Sequence, residues 1–247
     1  MLPIGDENEA GHGLALWTLL FIAGNVLVFV FLQLPSDAFT YGYSAVPTEI
    51  LTGRDLVGAT RVDAGAGGSV LIPQAPGPSP IQLTLLSSMF MHGGWAHLLG
   101  NLLFLYIFGD NVEHRMGRAL YPLFYLAAGI VASYTQIFWN PDSVIPTLGA
   151  SGAISGVLGA YIVLFPGNRV RVFAFGIRYV PAIVAIGLWA VIQFASGFGS
   201  IAQTDETAGG VAYLAHIGGF VAGVVAALVL RSFGGGRRPP SWRPLGA

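Results

Sequence analysis

The chain has no cysteine and no lysine, and charged residues fill only 9% of its 247 positions. Without cysteine there is no disulfide, no thiolate nucleophile and no cysteine-ligated metal, and the redox compartment is left open. Without lysine, all 11 basic residues are arginine, and at a net charge of −1 they form no basic field able to hold nucleic acid. What is abundant is apolar: 54% of the residues are hydrophobic and the mean hydropathy is +0.68, a balance outside that of soluble domains. Such a chain is expected in the lipid bilayer, as an integral, multi-pass membrane protein.

A bilayer core takes roughly 20 apolar residues per spanning helix. Uncharged runs of that order lie at 14–34, 96–109, 119–139, 150–166, 179–199 and 209–230, which predicts an all-α bundle of six transmembrane helices. Arginine placement orients it by the positive-inside rule. With the amino terminus inside, nine of the 11 arginines fall in the cytoplasm: Arg115, Arg118, Arg169, Arg171, Arg178, Arg231, Arg237, Arg238 and Arg243. Only Arg54 and Arg61 fall outside, so both termini are expected to be cytoplasmic. Asp6, Glu7 and Glu9 give the first apolar run an acidic flank where a cleaved signal needs a basic one, and it reads as a retained helix.

Residues 1–13 are thus expected to be a cytoplasmic segment, 14–231 a single six-helix domain, and 232–247, rich in Gly, Pro and Arg, a disordered cytoplasmic tail near the lipid surface. A long first loop, 35–95, interrupts the bundle, and loops of such length are usually structured or functional. Its centre, from Gly65-Ala66-Gly67-Gly68 through Pro73, Pro76, Pro78 and Pro80, cannot sustain a helix. The flanks at 47–51 and 81–91 mix apolar and polar positions in a manner suited to short interfacial helices. The other connections are short, which makes helices two to six neighbours.

Polar groups inside a bilayer are candidates for function. His97 and Asn101, four apart on the second span, project from one face; His92 precedes Gly93-Gly94 and falls just outside that span. Ser151, between Gly149 and Gly152, opens the fourth span, where free backbone N–H groups favour an oxyanion. A serine hydroxyl needs a base, and His216 on the sixth span is available if the two helices touch. Gly152, Gly156 and Ala160 form one ridge of small residues and Gly219 and Gly223 another, allowing close approach. With no Asp or Glu inside the predicted spans, a two-residue Ser-His pair is the economical arrangement. Asn101, His97 and the Ser151 N–H are the candidate oxyanion donors, each such donor being worth roughly 3 to 4 kcal/mol.

These residues resemble the rhomboid intramembrane serine proteases. His92-Gly93-Gly94-Trp95-Ala96-His97-Leu98-Leu99-Gly100-Asn101 matches the family's H-x4-H-x3-N pattern, Gly149-Ala150-Ser151-Gly152 its G-x-S-G, and Ala215-His216-Ile217-Gly218-Gly219 with Gly223 its A-H-x-x-G-x-x-x-G. The resemblance covers nearly the whole helical core. It implies a serine endopeptidase that cleaves transmembrane or membrane-anchored proteins, with Ser151 the nucleophile, His216 the base, His97 and Asn101 oxyanion partners and His92 in support. It further implies a structural role for Glu113, lateral substrate entry at the fifth span, an active site opening to the outer face of a bacterial-type inner membrane, and no metal or other cofactor. Two features depart from the family. The position four after Ser151, aromatic in many members and stacked there on the base, is Ser155 here, which leaves the orientation of His216 open. The Trp-Arg motif found in the first loop of some members has no counterpart.

Other classes fit less well. Taken singly, Ser151 reads as a helix cap, His216 as a packing partner and Asn101 as interhelical glue. Ser155, Gln136 and Gln193 read as helix-packing groups, and His12 and His114 as solvent-facing or interfacial. A metal site of His92, His97 and His216 lacks the H-E-x-x-H pairing and an acid in the spans, and aspartyl proteolysis lacks its acids. A transporter would call for repeated halves or paired broken helices. The remaining alternative is a non-catalytic rhomboid-like protein that binds membrane clients, in which the Ser or the His would be expected to be missing; both are present.

Overall fold

The computed structural model describes residues 2–7, 13–63, 68–174, 176–202 and 212–233. His12, the glycines at 65 and 67, the Asp205-Glu206 loop and the tail beyond Phe233 lie outside them. In chain order the elements are β1 (Leu2–Asp6), α1 (Leu16–Val28), α2 (Asp37–Tyr43), α3 (Pro47–Thr52), β2 (Gly58–Asp63), β3 (Ser69–Gln74), α4 (Thr84–Ser87), α5 (Trp95–Met116), α6 (Leu120–Trp139), α7 (Ser151–Leu164), β4 (Arg169–Phe173), β5 (Ile177–Pro181), α8 (Ala182–Ala202) and α9 (Tyr213–Phe233). The chain is mostly helical. Among the described residues, three helices are long and apolar enough to cross a membrane: α1 with its wider π-helical continuation to Gln33, α6 and α9. Large apolar side chains such as Phe31, Leu123, Phe138 and Val191 lie on the outer surface, as expected where the solvent is lipid.

Helix α7 is the centre of the molecule. Every residue from Gly152 to Tyr161 is buried, and the small residues along it set how closely its neighbours approach. A Cβ on Gly219 of α9 would collide with the Gly152 carbonyl, one on Gly223 with the Gly156 carbonyl, and one on Gly159 with the Phe220 carbonyl. The two backbones therefore meet along the glycine ridges, where only hydrogen side chains leave room. On its other flank α7 meets α6, where a Cβ on Gly152 would lie 2.7 Å from that of Ala132.

The first helix is fastened at one end by α5 and at the other by the segment that leads into α5. Near the carboxyl end of α5, the buried Glu113 accepts the N–H groups of Trp17 (3.0 Å) and Thr18 (2.8 Å) and the Thr18 hydroxyl (2.9 Å). These are first-turn donors of α1 with no partner inside their own helix, so a carboxylate 95 residues away in sequence caps it. At the far end, Gln33 accepts from the His92 N–H (2.8 Å) and donates to the His92 carbonyl (3.1 Å), closing a two-bond clamp ahead of Gly93-Gly94 and α5. Phe21 stacks on Tyr125 of α6 at 4.2 Å between ring centroids.

The first loop is structured. Ser36 caps α2 through Phe39 N–H, Pro47 begins α3, and Gly53 ends it in the left-handed region at φ 70°. Strands β2 and β3, in the middle of the loop, pair as an antiparallel hairpin. Short helical turns follow from Ile81 to Phe90, in the flank where interfacial helices were expected. Ala45 and Thr147 exchange backbone hydrogen bonds of 3.0 and 2.8 Å, and Gln74 donates to the Val144 carbonyl at 2.7 Å, so this loop is sewn to the segment that leads into α7.

The two small sheets depart from the all-α expectation, and two helices run beyond their expected ends. Residues 2–6, within the segment 1–13 expected to be cytoplasmic, form β1 and pair with β4, which pairs with β5 in the short connection before α8. The second apolar run, expected to end at 109, continues as α5 to Met116, because Val112 and Glu113 remain buried after hydropathy has fallen. Helix α9 runs to Phe233 and takes in two residues assigned by sequence to the tail.

Candidate active site

Helices α5, α7 and α9 run in the same sense, and their amino-terminal ends gather at one place. Gly149 enters α7 at φ +136°, a conformation open to glycine and disfavoured for other residues, with its N–H held by the Ser88 carbonyl at 2.9 Å. That turn makes Ser151 the first residue of α7. The hydroxyl does not cap its own helix, since the N-cap residue is Ala150 without a side-chain bond. Instead Ser151 Oγ lies 2.7 Å from His216 Nε2, across 65 residues of sequence and between two different helices.

His216 sits in the first turn of α9. Its other ring nitrogen, Nδ1, lies 2.7 Å from Gln193 Oε1 on α8, and the rings of Trp189 and Tyr213 approach it at centroid distances of 6.1 and 6.4 Å. Ser155 does not reach the imidazole; its hydroxyl donates to the Ser151 carbonyl at 2.6 Å. Sequence reasoning assigns Gln193 a packing role and does not find its bond to His216. A lone glutamine on an apolar helix carries no signal of its partner, although Trp189 and Gln193, four apart, do share a face.

On the opposite side of Ser151 lie the residues of α5. A Cβ on Gly149 would stand 2.9 Å from His97 Cε1, 3.0 Å from its Nε2 and 3.5 Å from Ser151 Oγ, so the His97 ring and the serine hydroxyl flank the same glycine. His97 Nδ1 accepts the Gly93 N–H at 3.2 Å, which turns Nε2 outward as the protonated nitrogen. Asn101 is buried and its Nδ2 has no protein partner among the described residues. The His92 ring, also buried, meets His97 edge-on at 5.1 Å and makes no side-chain hydrogen bond among those residues; what is fixed at His92 is its backbone, by Gln33. Glu113 lies at the far end of α5 in its capping role, Gly149 and Gly152 flank the serine, and Gly219 and Gly223 lie along the α7–α9 contact.

Beside Ser151 there is a narrow cavity of about 30 Å³ lined in part by Ser88, Ser133, Gln136, Gly149 and Ala215, large enough for a water molecule. A hydroxyl beside an imidazole acceptor, backbone donors at a helix start and a buried unpaired amide N–H make up the parts needed for acyl transfer.

A family model described as the Rhomboid domain matches residues 81–233. The chain is 31% identical over 219 residues to the Rhomboid protease GluP of Bacillus subtilis (strain 168), across 89% of this chain and 36% of that protein. It is 33% identical over 149 residues to Rhomboid protein 1, mitochondrial, of Saccharomyces cerevisiae, across 58% of this chain and 40% of that one. To Rhomboid-like protein 11, chloroplastic, of Arabidopsis thaliana it is 26% identical over 160 residues, across 62% and 54%. The chain thus spans 36 to 54% of the length of these relatives. It belongs to the rhomboid family, and it is an integral membrane protein.

Proposed function

We propose that this protein is a serine endopeptidase that hydrolyses peptide bonds of transmembrane or membrane-anchored proteins within the bilayer. The observation that carries the proposal is the 2.7 Å approach of Ser151 Oγ to His216 Nε2. Nε2 accepts the hydroxyl proton as Oγ bonds to the scissile carbonyl carbon, and the carbonyl oxygen becomes an oxyanion beside the Ser151 N–H, Asn101 Nδ2 and His97 Nε2. The imidazolium then passes the proton to the leaving amine nitrogen as the C–N bond breaks. Water, deprotonated by the same nitrogen, hydrolyses the acyl-serine ester and restores the hydroxyl. An α-helical substrate hides its carbonyls in hydrogen bonds, so it must unwind at the cut, which favours residues of low helix propensity there.

In this account α1 and α5 to α9 are the six spans. The arginine distribution supports cytoplasmic termini and a site facing the outer side of a bacterial-type inner membrane, with the β1-β4-β5 sheet on the cytoplasmic side. Substrate enters laterally past α8. Cleavage of a single-span test substrate by the purified protein checks the proposal: Ser151→Ala and His216→Ala should each abolish it while leaving the thermal transition in place. A wild-type chain that binds but never cuts such substrates would indicate a client-binding role.

A further inference from the structure

The family resemblance leaves the base without its aromatic support, because position 155 is a serine turned toward its own helix. The imidazole is nevertheless held, from a different direction. We infer that Gln193 on α8 is a positioning residue for the reaction, converting the Ser-His pair into a Ser-His-Gln relay in which the amide carbonyl fixes the tautomer and plane of His216. The inference rests on the proposed role of Ser151 and His216.

For Ser151 to donate its hydroxyl hydrogen to Nε2, that nitrogen must carry the lone pair, and the ring hydrogen must then be on Nδ1. Gln193 Oε1, 2.7 Å from Nδ1, is the acceptor for that hydrogen. The opposite tautomer would set two donors face to face at the serine, leaving no base. When Nε2 takes the serine proton the ring becomes an imidazolium, and the same carbonyl dipole faces the new positive charge, stabilising it as it forms. A neutral amide suits a half-buried site in a membrane, where an unpaired carboxylate would carry a large desolvation penalty in the resting state. Trp189, one turn before Gln193 on α8, adds a ring 6.1 Å from the imidazole, and it also reaches Phe220 on α9 at the same distance. Both contacts come from α8, so the alignment of the base depends on where that helix stands.

The ionisable and charged groups around His216 are few, which makes a pH profile interpretable. Helix α7 presents Ser151, α5 presents His97, and Tyr213 lies on α9 itself; α8 presents the neutral Gln193 and Trp189, and α6 meets this part of α9 through Thr135 against Gly218.

The test compares Gln193→Leu, which keeps the bulk and removes the acceptor, with Gln193→Glu, which keeps the acceptor and adds charge, as full-length proteins in detergent. The readouts are kcat and KM across pH and Ser151-dependent labelling by a fluorophosphonate. Gln193→Leu should lower kcat and labelling rate about tenfold, the upper end for a hydrogen bond of this kind, with KM unchanged. Gln193→Glu should recover most of that rate and move the acidic limb of the kcat profile upward by about one pH unit, because a carboxylate stabilises the protonated ring. A role confined to helix packing predicts neither the rescue nor the displacement. Wild-type kcat in Gln193→Leu, or an unmoved acidic limb in Gln193→Glu, overturns the inference while Ser151 still labels. Failure of Ser151 to label in the wild type overturns the protease reading as well.

Discussion

At the scale of single residues, the site is an arrangement of groups that each lack something the others supply. The Ser151 hydroxyl has no partner on its own helix and finds His216 Nε2; Asn101 presents a buried N–H without an acceptor among the described residues, which in the proposed mechanism meets charge that appears only during the reaction. Differential stabilisation of that kind acts on kcat. Asn101→Ala should therefore lower kcat by about 10²- to 10³-fold, roughly 3 to 4 kcal/mol, with little change in KM. Steady-state kinetics on a transmembrane substrate checks this, and a purely structural asparagine would instead show itself as a lowered melting temperature with kcat retained in the folded fraction. The serine, the histidines and Asn101 were readable in the sequence because three spaced patterns occur in order. The contact of Gln193 was not, since its partner lies 23 residues away and nothing in its own neighbourhood identifies that partner.

At the scale of elements, two devices hold the site's helices in place, and each makes a prediction. The glycine contact between α7 and α9 sets the distance over which Ser151 and His216 meet. Gly219→Ala places a methyl group against the Gly152 carbonyl, and forced separation of packed helices is typically worth about 1 to 3 kcal/mol. Reduced thermal stability together with a loss of cleavage larger than that of Ala substitutions elsewhere on α9 is the expected result. The cap of α1 by Glu113 is the second device. Glu113→Ala leaves the Trp17 and Thr18 N–H groups without acceptors, a change of about 1 to 3 kcal/mol per buried group, so a lowered melting temperature with fraying of the first turn in hydrogen exchange should follow. The small-residue ridges were visible in the sequence as spacing alone. The cap was not, because no local pattern links Glu113 to donors near residue 17.

At the scale of the whole molecule, α5, α6, α8 and α9 pack against a buried α7, and a small sheet ties the amino-terminal strand to the end opposite the site. Apolar run length exposed the helices. The sheet escaped because its strands are five residues each and β1 contains both Pro3 and Gly5; the one usable sign was the alternation in Arg169-Val-Arg-Val-Phe173, where Val170 and Val172 are buried and their neighbours face out. The attachment of β1 centres on Asp6, which accepts from the Tyr161 hydroxyl at 2.6 Å and from Asn111 at 2.7 Å. Burial, with Asp110 nearby adding to it, pushes the Asp6 carboxyl up from 3.8 to about 7. The folded state then binds a proton that the unfolded chain releases between those values, so stability falls as pH rises from about 4 to about 7 and levels off above. Hydrogen exchange across β1 should show tighter protection at the acidic end of that window, and Asp6→Asn should remove the dependence.

Labelling with a serine-directed fluorophosphonate, followed by mass mapping of the adduct, reports directly on whether Oγ is activated by the imidazole. The account predicts a single adduct on Ser151 in the wild-type protein, absent in Ser151→Ala and strongly slowed in a folded His216→Ala variant. An adduct on a different serine, or Ser151 labelling at an undiminished rate without His216, would contradict it.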